Sequence, residues 1–276
     1  MGSGVELSRK SVRGRTIAIR VPREDEVNDM ISVLNRIYAN SKLNRLKVRL
    51  LANEVLRLLK PSLSYKVLNK LTGIPESVLC RYVRGNIVPS YEQAVRILAR
   101  ISLSIDIEYL LKDLVEQERS NIIDLSRVLK DPYVIRLLTI VLSLKLSGKN
   151  LTKIVATAEA VMPLATMLGI ELNVPIILVK KKAYPGIQYY TGIVPRSPKD
   201  TETLFLDKDL ISRRDNVLVL ADVVYTGRTL HTVLSMIEKA RANIEDIIVI
   251  LALGENWSRR LADYNVKVLT HLPYPF

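Results

Sequence analysis

The 276 residues include one cysteine, Cys80, and two histidines, His231 and His271. A lone thiol closes no intrachain disulfide, a cysteine metal cluster is excluded, and too few histidines remain for a His-rich metal site. Such sparing use of cysteine fits a reducing interior, so a cytoplasmic location is expected. Apolar runs of the roughly 18 residues that a membrane span requires are missing as well. The longest candidate, Val134 to Leu144, is interrupted by Arg136. The N-terminus carries no apolar signal core, and no internal repeat or low-complexity tract occurs. What the chain does have is Leu, Ile and Val throughout. Its hydrophobic share of 48% excludes a disordered chain and suffices for two modest domains, each with its own core.

The net charge is +13, and it is unevenly spread. Residues 1–100 hold 19 Lys and Arg against 8 Asp and Glu, whereas residues 101–276 hold 22 against 20. The excess therefore sits in the first third and points to a polyanion partner there, nucleic acid first among them. A generally basic surface is the alternative, but it leaves the localisation unexplained.

Along the chain, residues 1–45 read as a basic arm, a small extension or a dimerisation element. Arg9, Lys10, Arg13, Arg15, Arg20 and Arg23 crowd its first half. Thr16 to Val21 partly alternates, as a short strand would. Glu24-Asp25-Glu26 then opens a helix whose apolar positions are Val27, Met30, Ile31, Leu34 and Ile37. From near Leu43, a second helix shows Leu50, Leu51, Val55, Leu58 and Leu59 as its buried face. Short helices follow near 64–72, 75–84 and 90–101, divided by Gly73, Gly85 and Pro89. Residues 103–120 read as a helical linker. From about Asn121 the pattern changes to helices alternating with short, fully apolar runs: 154–156, 176–179, 217–220 and 247–250. Continuous β-branched runs between helices imply an α/β domain whose parallel sheet is covered on both faces.

The stretch Ser64 to Arg84 followed by Gly85-Asn86 combines a helix, a glycine turn at Gly73, a second helix and a closing Arg-Gly. It resembles the lambda-repressor-like helix-turn-helix over residues 46–102. Gly73 suits the turn, and Pro75 suits the first turn of the second helix. That helix divides into a core side, Leu79, Tyr82 and Val83, and an outer side, Glu76, Ser77, Cys80, Arg81 and Arg84. By the resemblance, Glu76, Ser77 and Arg81 are candidates for base edges in the major groove. Lys66, Lys70, Arg84 and Asn86 are candidates for phosphates. Asn69 departs from the pattern, because the family places Ala there. The competing reading is a structural helical hairpin with a solvated basic face.

The sharpest motif runs from Val217 to Leu230. A buried strand ends at Asp222, and a tight loop with Tyr225, Thr226, Gly227, Arg228 and Thr229 leads into a helix. Strand–loop–helix at a carboxyl end is an anion site: loop N–H groups face the phosphate, Gly227 permits close approach and the Thr hydroxyls add hydrogen bonds. These residues resemble the phosphoribosyl pyrophosphate signature of type I phosphoribosyltransferases, over residues 121–276. The resemblance implies that Tyr225 to Thr229 hold a 5′-phosphate and that Asp222 accepts from ribose hydroxyls. It also draws in Thr157 and Ala158 after an earlier strand, and Lys180 and Lys181 after the next.

Two departures weaken the chemistry. Where the family has adjacent carboxylates, this chain has Ala221 and then Asp222. Its stretch from Ala156 to Pro163 has no Gly, Lys or Arg, and Glu159 brings negative charge toward a diphosphate. At about 4 Å and an effective dielectric near 20, like charges repel by roughly 4 kcal/mol, unless Glu159 turns to solvent or to Lys180–Lys182. No catalytic residue and no protein metal site are therefore assigned. No cofactor is required, and magnesium would come only with phosphoribosyl pyrophosphate. The segment 184–204 corresponds to a mobile enzyme loop, either a lid or a variable surface loop. His231 and Trp257 read as packing residues, although Trp257 could border a base pocket.

The resulting expectation is a transcriptional regulator whose basic first third binds duplex DNA, as a homodimer, and no membrane. It would sense a phosphorylated ribose compound or nucleotide, in the manner of phosphoribosyltransferase-type transcriptional regulators. An active phosphoribosyltransferase and an RNA-binding attenuator are the alternatives.

Overall fold

The computed structural model describes residues 17–117, 125–197 and 199–273. Arg9, Lys10, Arg13, Arg15, Asn121 and Pro198 lie outside the described residues. The chain divides into two compact units, Met1–Leu114 with Arg136–Gly148 and Val115–Ile135 with Lys149–Phe276.

The first unit is helical: α1 Glu24–Tyr38, α2 Lys42–Leu59, α3 Tyr65–Thr72, α4 Glu76–Val83, α5 Tyr91–Ser104 and most of α6 Ile107–Gln117. Serines set the starts of three helices, satisfying N–H groups that have no intrahelical acceptor. The Oγ atoms of Ser41, Ser64 and Ser90 accept from the N–H groups of Asn44, Val67 and Gln93. Leu56, Leu59, Leu68, Leu71, Leu79, Ile97, Leu98 and Ile101 fill the core. Several expectations change here. Leu50 is 51% exposed and Leu51 and Leu58 are half-buried; α2 buries Val55 and Leu59 as expected, with Val48, Ala52 and Leu56 beside them. Pro75 caps α4 from outside its first turn.

Residues 17–45 and 105–114 pack into this unit. Ile17 and Ile19 are buried, and the expected strand reduces to one bridge, Ile19 with Ile105. The Arg20 N–H donates to the Ser104 carbonyl (3.0 Å), and the Asp106 N–H to that of Ala18 (3.1 Å). Part of α8, Pro132–Leu146, also groups here although the sequence assigned it to the C-terminal domain. Arg136 makes a two-pronged ion pair with Glu54 of α2 (2.6 and 2.7 Å). The apolar residues after it, Leu137 to Leu144, are buried, so this run belongs to a protein core. Among the described residues, no helix is long and apolar enough to cross a membrane.

The second unit is α/β. After the short α7, Leu125–Val128, come β1 Lys153–Ala156, α9 Met162–Leu172, β2 Ile176–Leu178, the pair β3 Tyr189–Ser197 and β4 Asp200–Asp207, β5 Asn216–Val224, α10 Arg228–Lys239, β6 Asn243–Leu253 and β7 Val266–Leu272. Five strands form a parallel sheet in the order β2-β1-β5-β6-β7. From β1 the chain turns first to β2 on one side and later to β5 on the other. That reversal opens a crevice beyond the carboxyl ends of β1 and β5. The four apolar runs become β1, β2, β5 and β6, with β5 continuing past Asp222 to Val224.

The segment expected as a mobile or variable loop is largely an antiparallel hairpin of β3 and β4, with a register shift between Pro195 and Ser197. It rests on α10 through Gly192. A Cβ at this position would lie 2.3 Å from Thr232 Cγ2 and 2.8 Å from Met236 Sδ. Gly192→Val should therefore push the hairpin from the helix and destabilise the unit by roughly 1–3 kcal/mol, the usual cost of overpacking, measured by urea unfolding. Unchanged stability would contradict this packing.

Candidate functional site

The crevice is built from the ends of three strands. β1 pairs with β5 so that Ala156 lies opposite Leu220, and the Thr157 N–H continues the ladder to the Leu220 carbonyl (3.0 Å). Thr157 is buried and Ala158 half-buried beside Asp222, which lies two residues beyond Leu220. Burial raises the Asp222 carboxyl above its ordinary value. The N–H groups of Val223 and Asp222, with the charges of Lys181 and Arg196, offset part of that rise. Ala221, the position at which the resemblance expects a second carboxylate, is buried in the core.

Beyond Val224, Tyr225-Thr226-Gly227 turns into α10. Gly227 has φ 72°, a left-handed conformation, and a Cβ there would meet the Trp257 carbonyl at 3.2 Å. Both facts call for glycine. The His231 N–H donates to the Gly227 carbonyl (2.9 Å) as the first turn of α10. The preceding N–H groups, of Arg228, Thr229 and Leu230, have no acceptor within the helix, which is the local chemistry of an anion site.

Lys180 and Lys181 follow β2 as expected, but other chain groups engage both. Lys180 exchanges main-chain hydrogen bonds with Phe205 and sets its ammonium over the Tyr184 ring (4.9 Å). Lys181 pairs with Glu202 of β4 (2.8 Å). Glu202 also accepts from Arg196 of β3 at Nε (3.0 Å) and at Nη2. Burial acts to raise the Glu202 carboxyl, but Lys181 and Arg196 together hold it below its ordinary value. Arg196 Nη1 reaches Thr229 Oγ1 (3.1 Å), tying the hairpin to the start of α10. Glu159 is exposed, and Lys181 pairs with Glu202 instead of with it.

Arg228 is in the loop as read, yet its guanidinium turns to the Pro195 carbonyl (3.0 Å), so only its main chain serves the loop. Sequence reasoning missed Glu202 and Arg260, whose Nε donates to the Thr226 carbonyl (3.1 Å). Neither has a local signal, because both reach the site through tertiary structure. His231 lies on α10, edge-on to Tyr264 at 6.4 Å. Trp257 packs against the core and donates to the Gly254 carbonyl (3.1 Å).

In the helical unit, α3 and α4 meet at Gly73, φ 73°. Asn69 closes this turn: its carbonyl accepts from the Gly73 N–H (2.7 Å), and its Nδ2 donates to the Ile74 carbonyl (2.8 Å). The amide thus has a tertiary role where the resemblance expects alanine. Leu79 and Tyr82 are buried, and Tyr82 Oη donates to Gln93 of α5 (2.9 Å). Glu76, Ser77, Arg81 and Arg84 stand exposed on α4, Lys66 and Lys70 on α3, and Asn86 just beyond. Cys80 is half-buried.

No family model matches the chain. A curated hypoxanthine/guanine phosphoribosyltransferase of Methanococcus vannielii is 31% identical over 136 residues, 47% of this chain and 69% of that protein. One from Methanothermococcus okinawensis is 29% identical over 136 residues, 47% and 70% of the two chains. The crystal structure of adenine phosphoribosyltransferase from Thermoanaerobacter pseudethanolicus superposes with a TM-score of 0.50 at 20% identity, covering 55% of this chain and 88% of that one. At that identity the superposition speaks for the fold alone, while the archaeal relatives carry the relationship in sequence. Through its α/β half, the chain belongs to the phosphoribosyltransferase family of type I fold.

Proposed function

We propose that the chain is a DNA-binding regulator whose phosphoribosyltransferase-like unit takes a phosphorylated ribose compound, phosphoribosyl pyrophosphate or a nucleotide, as effector. The observation that carries this reading is the union in one chain of a strand–turn–helix at Gly227 like the family's phosphate loop with a basic helical unit whose α4 buries Leu79 and Tyr82 and exposes Arg81, with Arg84 exposed just beyond it. Arg81 would read a guanine edge through its two-pronged fork, with Glu76 and Ser77 beside it. Lys66, Lys70, Arg84 and Asn86 would hold phosphates and fix the register. A homodimer would present two such helices to paired half-sites.

In the effector unit, Thr226 and Thr229 hydroxyls and the N–H groups at the start of α10 would take the 5′-phosphate. The Asp222 carboxylate would accept from a ribose hydroxyl. The diphosphate side is poor for transfer chemistry. Lys181 and Arg196 already share Glu202, so a pyrophosphate must compete with a carboxylate in place. Among the described residues no group of three His, Cys, Asp or Glu side chains can hold a metal. Magnesium is commonly held by one or two carboxylates together with a ligand's phosphates, so here the ion would come with the diphosphate oxygens. A leaving group that is not neutralised leaves slowly, whereas binding of the 5′-phosphate survives. That asymmetry suits a sensor.

The second reading is an active phosphoribosyltransferase, favoured by the name its archaeal relatives carry. Incubating a labelled purine base with phosphoribosyl pyrophosphate and magnesium separates the two readings. The regulator yields no nucleotide above buffer; steady turnover would replace it with the enzyme.

Two outcomes are expected for variants. In selection from a random duplex library, Arg81→Ala relaxes preference at one base pair, worth about 1–3 kcal/mol, while Lys66→Ala lowers the salt dependence of binding without changing the selected sequence. Thr226→Val keeps DNA affinity but binds ribose 5-phosphate roughly ten- to a hundredfold more weakly, having lost a hydrogen bond to a charged group. Wild-type behaviour from Arg81→Ala and Thr226→Val together would refute the proposal.

A pH test follows from Asp222. Its ionised form accepts the ribose hydroxyl, and its carboxyl is raised by burial. Affinity for ribose 5-phosphate therefore starts to fall, as pH is lowered, above the range of an ordinary aspartate. The ligand phosphate titrates too, so the comparison is with Asp222→Asn, which should lack the protein's part of the pH profile. Identical profiles would remove Asp222 from ligand binding.

A further inference from the structure

Beside the phosphate loop, a groove of about 800 Å³ runs between β3 and α10, within the size range of small-molecule sites. Arg196 of β3, Arg228 of α10 and Arg260 of the turn after β6 line it, together with Ile193, Pro195 and His231. Arg228 and Arg260 are each pinned by one contact that leaves other N–H groups unused, whereas Arg196 is held at all three guanidinium nitrogens. These contacts include Arg196 to Thr229 Oγ1, Arg228 to the Pro195 carbonyl and Arg260 to the Thr226 carbonyl. Arg196 shares the Glu202 carboxylate. Among the described residues, Arg228 and Arg260 have no carboxylate within ion-pair distance, and none lines the groove.

We infer that this groove is a second anion site, distinct from the ribose-phosphate loop, and that it takes a linear oligophosphate. The guanidinium fork matches phosphate oxygens two at a time, and holding each fork in advance reduces the ordering cost of binding. One phosphate engages one or two forks. The open forks of Arg228 and Arg260 on two separate elements, with the shared Arg196 charge on a third, suit a chain of phosphates, and no acidic side chain lines the walls between them. Arg196 and Arg260 also hold the two threonines of the loop, so an occupant that draws on these arginines changes the loop's affinity, and the converse holds by linkage. The coupling rests on the loop's reading as a ribose-phosphate cradle; the groove itself does not.

Calorimetry on the full chain with inorganic tripolyphosphate tests the site. Ile193 is 66% exposed, so Ile193→Glu sets a carboxylate in the groove without disturbing the core or the loop. Arg260→Gln removes one fork. Both should weaken tripolyphosphate binding at least tenfold, while Thr226→Val retains it and Ile193→Glu retains ribose 5-phosphate. Absence of heat in the wild type at millimolar concentration, or equal binding in the groove variants, overturns the site. The second result would put the anion on the loop or on the basic helices. If tripolyphosphate behaves as expected but ribose 5-phosphate does not bind the wild type, the groove stands and the loop reading falls. ATP beside tripolyphosphate distinguishes the sources: tighter ATP binding makes the natural ligand a nucleotide, and weaker binding an inorganic chain. Either supports the site provided Ile193→Glu abolishes it.

Discussion

The ladder between β1 and β5 holds the α/β unit's chemistry in place. Because β1 sits between β2 and β5, the Thr157 N–H meets the Leu220 carbonyl, and the chain leaves the two strands in opposite directions. A crevice must open where those directions diverge. Asp222, the Tyr225–Gly227 turn and the start of α10 then face Thr157 and Ala158 without any side chain having to draw them together. A one-residue slip of β5 would turn Val217 and Val219 from one face of the sheet to the other and move Asp222 with them.

On that frame, charge decides what the site can hold. The family's transfer chemistry needs positive groups free to meet a diphosphate. Here Glu202 lies between Lys181 and Arg196, and Asp222 stands without a neighbouring carboxylate because Ala221 is part of the core. On the proposed reading, the Tyr225–Thr229 loop would depend instead on main-chain N–H groups and hydroxyls, which no neighbouring acid can neutralise. Recognition and catalysis would then rest on different atoms.

Those features that arise within a few residues were legible in the sequence. Four strands were visible because sheet positions covered on both faces demand unbroken runs such as Ile247 to Ile250. The turn at Gly227 showed itself through residue types that only such a turn requires. The two sides of α4 followed from helical spacing alone. The hairpin was hidden because Tyr189 to Asp207 mixes Thr, Gly, Pro and charged residues, with one face on α10 and the other in solvent. β7 was hidden for a similar reason: Lys267 and His271 interrupt an edge strand that is buried only in part. Glu202, Arg260 and the hydrogen bond of Asn69 to Ile74 depend on where distant or turned segments come to rest. Residues 17–45 looked like an appendage because their burial is supplied by α5, far along the chain.

Gly192 has a mechanical consequence. Close apposition with Thr232 and Met236 gives β3 a fulcrum partway along its length. Nearer the tip, Pro195 and Arg196 are held by polar contacts, to Arg228, Thr229 and Glu202, in place of close packing. The base of the hairpin is thus set by side-chain packing and its outer end, with the register shift between Pro195 and Ser197, by hydrogen bonds and an ion pair.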